Sequence, residues 1–196
     1  MNTSCIILAA GMATRFGSLK QNLPIHGKQA WEWVYGACME ADINGKNIHV
    51  VGKDVKGGAF RQESVFNALK YVKQRRVIIL EAARPAVTSE QIKELISCNH
   101  SSCTFVFPSS DTVLVKPDVY LHRAKCFRIQ TPQAFNVKVL RKALKDGPLD
   151  LTDETRLLHH KLEIKPHLHF GGLNLHKLTY KEDKTILETL WNKKKF

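Results

Sequence analysis

Ile6, Ile7 and Leu8 form a short apolar run that passes directly into Ala9-Ala10-Gly11, and this junction constrains the fold more than any other part of the chain. A run of that length reads as a buried strand. The three small residues after it give a turn with almost no side-chain bulk, and Arg15 and Lys20 come next. Such a turn lets backbone N–H groups approach a phosphate and brings two cations to the same spot. The Walker spacing Gly-x-x-x-x-Gly-Lys-Ser/Thr is absent. The stretch therefore reads as another way of gripping a nucleoside triphosphate at the end of a first strand.

The rest of the chain alternates strand-like and helix-like segments, the pattern of an α/β sandwich on a mostly parallel sheet. Strands are expected at 5–8, 47–51, 77–80, 104–107, 127–130 and 173–178, and helices at 30–41, 62–72, 89–97, 137–144, 153–161 and 181–191. Thr88 with Gln91, and Thr179 with Glu182, have capping-box spacing, Thr152 is placed to cap the fifth helix, and Gly147-Pro148 stops the fourth. Ile186, Leu187, Leu190 and Trp191 share a face that should pack on the sheet. Trp31 and Trp33 read as packing residues. With 196 residues and no linker or repeat, one domain spanning 1–196 is expected.

Ligands of open α/β sheets sit beyond the carboxyl ends of the strands. The chemically suggestive residues obey that rule: Gly11 to Lys20 follow the first strand, Glu81 to Arg84 the third, Asp111 and Thr112 the fourth, Thr131 the fifth, and Lys177 sits near the end of the last.

Composition removes several alternatives. No apolar run approaches the roughly 20 residues of a membrane span, and the N-terminus lacks the basic segment of a signal peptide, so a cytoplasmic protein is expected. The net charge of +12 is spread along the chain, its one run being Lys193-Lys194-Lys195. With 8% aromatic residues and no nucleic-acid motif, the excess reads as a phosphate-binding site on a basic surface. Five cysteines without a Cys-x-x-Cys pair read as free thiols. His167 and His169 would share a strand face, but no cysteine or carboxylate close by in the sequence completes a metal set.

Five separated motifs carry a resemblance. They are Leu8-Ala-Ala-Gly-Met-Ala-Thr-Arg15, Gly57-Gly-x-x-Arg61-x-x-Ser64-Val-x-Asn67-Ala-Leu69, Glu81-Ala-Ala-Arg84-Pro85, Asp111-Thr112 and Gln130-Thr-Pro-Gln133-Ala-Phe135. With Leu151-Thr-Asp-Glu154 and Lys177-Leu-Thr179, the chain resembles the 2-C-methyl-D-erythritol 4-phosphate cytidylyltransferases and their relatives acting on ribitol phosphate and other acceptors. The resemblance implies a three-layer α/β/α sandwich with a mostly parallel, Rossmann-like sheet, of the nucleotide-diphospho-sugar transferase type. It implies Mg²⁺-dependent transfer of CMP from CTP to a phosphorylated acceptor, with pyrophosphate released. Carried over, Ala9, Ala10, Gly11, Gly58, Ser64, Glu81 and Ala82 meet the nucleotide, and Arg15, Lys20 and Lys177 surround the triphosphate. Arg84, Asp111, Thr112, Arg123, Thr131, Thr152 and Asn174 face the acceptor, and Glu81 faces the metal. In the family an arm, here shortened to about 112–123, embraces a second subunit and lends it the arginine matching Arg123. A homodimer is therefore an open expectation.

The chain departs from the family pattern at Leu80 and Glu81, where a histidine and an aspartate are usual, at Ala13 for a glycine, and at Asn174 for an aspartate. Methylerythritol phosphate is the first acceptor expected, with another polyol or sugar phosphate, or a phosphonate, as the alternative. Two further readings stay open: a guanylyltransferase of the molybdenum-cofactor type, which shares the first loop, and a non-catalytic relative that binds nucleotide or nucleic acid.

Overall fold

The computed structural model describes residues 2–11, 24–147 and 150–192. Along the chain run β1 (Thr3–Leu8), β2 (Pro24–Ile25), β3 (Lys28–Gln29), α1 (Ala30–Glu40), β4 (Ile48–Val51), α2 (Arg61–Leu69), β5 (Arg76–Glu81) and α3 (Ser89–Ser97). They are followed by β6 (Ser102–Pro108), β7 (Val113–Val115), β8 (Val119–Leu121), β9 (Phe127–Asn136), α4 (Val137–Ala143), α5 (Glu154–Leu162), β10 (His167–Phe170) and α6 (Asp183–Asn192). Six strands make one sheet in the order β10-β6-β9-β5-β1-β4. β9 runs antiparallel to both its neighbours, and the other pairs are parallel.

Central strands read as unbroken apolar runs because both faces are covered. Cys5, Ile7, Ile78 and Leu80 point to one layer, where they meet Val34, Ala37 and Cys38 of α1 and Ile92 and Leu95 of α3. Ile6, Val77 and Ile79 point to the other, against Val65, Ala68 and Leu69 of α2, Leu140 of α4, and Leu157 and Leu158 of α5. The three layers follow from that alternation.

Caps decide where the helices begin. The Thr88–Gln91 box forms as expected: Gln91 N–H donates to Thr88 Oγ1 (3.3 Å) and Thr88 N–H to Gln91 Oε1 (3.1 Å). Asp153, not Thr152, caps α5, accepting at Oδ1 from Thr155 N–H (2.8 Å) and Arg156 N–H (3.3 Å). At α6 the Thr179–Glu182 box does not form. Asp183 takes the N–H groups of both Thr179 and Tyr180 at 2.7 Å. At α5 a carboxylate, which binds amide donors more strongly, takes the place of the Thr152 hydroxyl; at α6 Asp183 takes the place of the Glu182 carboxylate, and the Thr179 hydroxyl donates to Lys177 O at 3.1 Å instead.

Other expectations are corrected by the tertiary structure. Residues 173–178 are not a strand. Leu173–Leu175 form a 3₁₀ turn, and Leu178 N–H then donates to Ala83 O at 2.8 Å. The last strand is β10, on the sheet edge beside β6. α6 does not lie on the sheet: Leu187 packs with Ile25, Ala30, Ala83, Ala86 and Leu178, Trp191 meets Trp33 at 4.6 Å, and Ile186 is exposed.

Cys98 and Cys103 are not free thiols but are joined as a disulfide, whereas Cys5, Cys38 and Cys126 are free. β10 pairs with β6 so that His167 lies opposite Cys103, and His169 reaches Glu94. The cysteines and carboxylate missing beside these histidines in sequence are thus supplied by neighbouring elements. Helix α3 ends one residue before Cys98, and β6 begins one residue before Cys103.

One irregularity shapes the site. Thr104 pairs with Gln133 but Phe105 with Gln130, so Thr131 and Pro132 stand outside the ladder. A bulge is where a sheet accepts a proline and re-aims a side chain. The β5–β9 pairing ends at Ile79 and Gln133, leaving Leu80 and Glu81 without a β9 partner. The sheet splits there, and Glu81 stands in the gap.

Candidate active site

A cavity of about 470 Å³ opens where β1, β4 and β5 end. Leu8, Ala9, Ala10 and Gly11 line it from β1, Val51 from β4, and Gly58, Ala59, Phe60, Arg61 and Ser64 from the entry to α2. Glu81, Ala82, Ala83 and Lys177 complete it. The size suits a small-molecule ligand. Its floor is made of close backbone approaches. Ala9 N–H donates to Val51 O (3.0 Å) and Ala82 N–H to Leu8 O (3.1 Å). Gly52 has φ +98°, and a Cβ there would lie 3.0 Å from the Ala10 backbone. A Cβ on Gly57 would lie 2.6 Å from that of Ala10. Ser64 Oγ accepts from Gly58 N–H at 3.0 Å and donates to Phe60 O at 3.3 Å, which holds the loop before α2 in place.

One wall is a charge network. Glu81 accepts from Arg61 Nε at 3.1 Å through Oε1 and from Lys177 Nζ at 2.6 Å through Oε2. Arg61 also pairs with Glu154, which is fully buried. Burial by itself would raise the Glu81 pKa, but Lys177, Arg61 and Arg84 overcome it and hold the carboxyl well below the usual carboxylate range. Glu154 goes the other way: burial pushes its carboxyl up, and Arg61 offsets only part of that. For Arg61, burial is outweighed by Glu154 and Glu81, so its charge is reinforced. Arg84 is lowered by its burial, against the pull of Glu81. Its Nε donates to Thr131 Oγ1 at 3.0 Å, and a second nitrogen donates to Leu175 O. The bulge in β9 thus positions Thr131 to hold Arg84.

Two smaller cavities adjoin this wall. One, about 240 Å³, is lined by Glu81, Arg84, Ile129, Thr131, Thr152, Asp153, Arg156 and Lys177. The other, about 330 Å³, lies among Arg84, Phe107, Arg128, Gln130, Leu173, His176, Lys177 and Asp183. Lys177 lines all three cavities. The arrangement can hold a polyanion: backbone groups on the floor and cations along one wall, with further arginines beyond.

Residues 27–193 match the family model "IspD: 2-C-methyl-D-erythritol 4-phosphate cytidylyltransferase". The chain belongs to this family. A 2-C-methyl-D-erythritol 4-phosphate cytidylyltransferase of Thermotoga neapolitana is 30% identical over 205 residues, covering 91% of each chain. A bifunctional IspD/IspF enzyme of Nitratiruptor is 37% identical over 139 residues, 69% of this chain and 36% of that protein. Among solved structures, the bifunctional IspDF of Campylobacter jejuni superposes with a TM-score of 0.82 at 28% identity, over 96% of this chain and 55% of that one. The Thermus thermophilus 2-C-methyl-D-erythritol 4-phosphate cytidylyltransferase gives 0.80 at 24% identity, over 98% and 100%, a likeness of fold.

Within this IspD-family chain, Ala9, Ala10, Gly11, Gly58, Ser64, Glu81, Ala82 and Lys177 come together on the large cavity. Arg84, Thr131 and Thr152 gather on the adjoining 240 Å³ one. Arg15 and Lys20 lie outside the described residues. Asp111 and Thr112 are exposed and line none of the three cavities. Arg123 is exposed and donates to Ser110 O at 3.0 Å. Asn174 is tied to α3, where its Nδ2 donates to Gln91 Oε1 (2.8 Å) and Ala86 O (3.3 Å). Sequence reasoning gave no role to Arg61, Glu154, Asp153 or Arg156. Arg61 and Glu154 stood inside quoted motifs, but 93 residues separate these ion-pair partners, and nothing local signals the contact.

Among the described residues no helix is long and apolar enough to cross a membrane. The segment expected to be the arm holds the β7–β8 hairpin, with Leu114, Val115, Val119, Tyr120 and Leu121 exposed.

Proposed function

We propose that the protein transfers CMP from CTP to 2-C-methyl-D-erythritol 4-phosphate, releasing pyrophosphate and forming the CDP conjugate. The observation that carries this reading is the polyanion cavity, floored by backbone and walled by Glu81 and Lys177, in a chain of the IspD family. The cytosine and ribose lie against Gly58, Ser64, Glu81 and Ala82, and the triphosphate lies over Ala9–Gly11. Arg15, Lys20 and Lys177 take the phosphate charge. The acceptor occupies the neighbouring cavity, its phosphate held by Thr131, Thr152 and Arg156, with Arg84 as the buried cation behind Thr131.

The reaction needs no general base, because the attacking acceptor phosphate oxygen is already an anion. It forms a bond to the α-phosphorus of CTP as the α–β bridge breaks and pyrophosphate leaves. The barrier lies in bringing two anions together and in the charge that gathers on the α-phosphate, and fixed cations address both. Lys177 leaves Glu81 for the phosphates when CTP enters, while Arg61 stays as the counter-charge of Glu81.

Glu81 is the one carboxylate lining the large cavity among the described residues. One carboxylate plus substrate phosphates is a donor set Mg²⁺ accepts, so Glu81 would be the residue to hold it. Bound there, Mg²⁺ would neutralise triphosphate charge. Asp111, Thr112 and Arg123 would contribute only once the hairpin arm meets a second subunit, and we infer a homodimer joined through that arm. A cytoplasmic setting, where nucleoside triphosphates are supplied, fits this chemistry.

The test is an acceptor panel with CTP and Mg²⁺, scored by pyrophosphate release and by mass of the product. Methylerythritol phosphate should turn over best. Faster turnover of ribitol phosphate, another sugar phosphate or a phosphonate would move the assignment to that acceptor. Binding of CTP without turnover on any acceptor would overturn the enzymatic reading. Arg15→Ala and Lys20→Ala should each remove most turnover and leave the fold intact.

A further inference from the structure

On the sheet edge formed by β6 and β10, away from the cavities, we propose a second metal site. In its reduced, dithiol form the chain binds one zinc-class divalent cation through Cys98, Cys103 and His169.

Cys98 Sγ, Cys103 Sγ and a ring nitrogen of His169 lie within 4.8 Å of one another. The two sulfurs are joined as a disulfide, with Cα atoms 7.0 Å apart. On a tetrahedral zinc ion two thiolates stand about 3.8 Å apart, given Zn–S bonds of roughly 2.3 Å. Rotation of the two Cys side chains after reduction supplies that separation. The spacing Cys98-x₄-Cys103 falls within the range that zinc sites use.

The decisive feature is how His169 is held. Glu94 accepts from its Nδ1 at 2.5 Å. In the neutral imidazole that bond puts the one ring proton on Nδ1 and leaves the lone pair on Nε2. Among the described residues, His169 Nε2 is buried and has no hydrogen-bond partner. A buried acceptor left unsatisfied is costly. A carboxylate–histidine pair presenting a free Nε2 is how proteins orient a histidine toward a metal. Arg76 adds to this, since its Nη2 donates to Cys103 Sγ at 3.1 Å and favours the thiolate. Two thiolates and the Glu94 carboxylate balance a dication and the Arg76 guanidinium, so the closed site carries no net charge. The ring of His167 lies 5.0 Å from that of His169, and His100 stacks on His167 at 4.3 Å. Imidazole from this pair, or water, completes a fourth position.

Chemically, two low-molecular-weight thiols give two electrons and two protons to the disulfide and become a disulfide themselves, or a phosphine gives the two electrons while water gives the two protons and its oxygen ends on the phosphine oxide. The two cysteine thiols then release those protons as the cation binds. The disulfide and the metal are therefore mutually exclusive occupants of one site, and an oxidant that closes the disulfide expels the ion.

The test uses the full chain, reduced with a phosphine and held in excess Mg²⁺ so that hard-cation positions are filled. Co²⁺ alone is titrated as an optical probe. The expected result is one equivalent bound per chain with a thiolate-to-cobalt charge-transfer band, absent from the disulfide form and from Cys98→Ser/Cys103→Ser. Glu94→Gln, at a half-exposed position, should weaken Co²⁺ binding about 10–100-fold, and His169→Asn should weaken it at least as much. Pyrophosphate release should be unchanged in Glu94→Gln, which shows that the variant is folded. The proposal is overturned if the band persists in the double cysteine variant. It is equally overturned if the reduced chain binds Co²⁺ no better than that variant, or if Glu94→Gln and His169→Asn leave the affinity unchanged.

Discussion

The large cavity and the 240 Å³ cavity beside it meet at Glu81 and Lys177, yet they are built in opposite ways. The large one is mostly backbone and small side chains: Ala9, Ala10, Gly11, Gly58, Ala59, Ala82 and Ala83. The smaller one is lined mostly by residues with polar or charged side chains, drawn from β5 and the residues after it, from β9, from the approach to α5 and its first turn, and from the segment before α6. A ligand recognised by backbone needs bulk kept away. A ligand recognised by side chains needs distant elements brought into register. The first demand is met by local sequence and the second by the whole sheet, with the bulge at Thr131 as its instrument.

The largest effect is expected where the two cavities share a wall. Arg61→Met strands Glu154, which is fully buried, and should cost roughly 3–5 kcal/mol of stability. Glu154→Leu alone should also destabilise. The double variant should recover much of the loss, because no unpaired charge then remains. Urea unfolding of all four chains measures the coupling, and additive losses would mean that the wall is not held by this pair.

Next in size is Lys177→Ala. It removes the one cation that, among the described residues, is common to all three cavities, and turnover should fall on the order of 10²–10³-fold with the CD spectrum unchanged. Near-wild-type turnover would separate the two cavities functionally. The pH dependence of stability sharpens the same point. The folded pKa of Glu81 is depressed, so its ion pairs stabilise the fold fully above its unfolded pKa, about 4.3. That contribution is lost as pH falls below this value toward the lower folded one. The gap in melting temperature between wild type and Glu81→Gln should therefore be widest near neutrality and close in acid. A gap independent of pH would refute the charge wall.

Smaller effects tell the cavities apart. Arg156→Ala should raise the acceptor KM about tenfold, the worth of one charge-assisted hydrogen bond, and leave the KM for CTP unchanged. Gly57→Ala should do the reverse and modestly. Its Cβ would press on Ala10, lowering the thermal shift given by CTP with little change in acceptor KM. A common effect on both substrates in either variant would erase the distinction.

The difference between the cavities also explains what could be read in advance. The large cavity was legible because Ile6–Leu8 and Ala9–Gly11 state strand and turn in six consecutive residues, and Gly57-Gly58 repeats the demand for small residues at the entry to α2. The helices at 30–41 and 89–97 were legible from periodicity and from the Thr88–Gln91 box. Residues 173–178 misled because Leu173, Leu175 and Leu178, spaced among polar residues, resemble the alternation of a strand, whereas the segment is docked by a backbone bond from Leu178 to Ala83. β10 was missed because its apolar residues Leu168 and Phe170 face outward. The nearness of His169 to the Cys98–Cys103 disulfide was hidden because β6 and β10 are sequence-distant neighbours, while the disulfide itself is local, with a separation of 5 residues, and was missed because the odd number of cysteines was read as free thiols.

Sequence alone determined the alternating elements, the bulk-free turn after β1 and the family to which the chain belongs, because each rests on residues close together or on motifs read one at a time. Tertiary structure alone decided that Arg61 bridges Glu81 and Glu154, that Arg84 is held by Thr131, and that Cys98, Cys103 and His169 share one corner. These are contacts between side chains far apart in sequence. Their register is set by how the strands pair and where β9 departs from its ladder, and no short stretch of the chain encodes that.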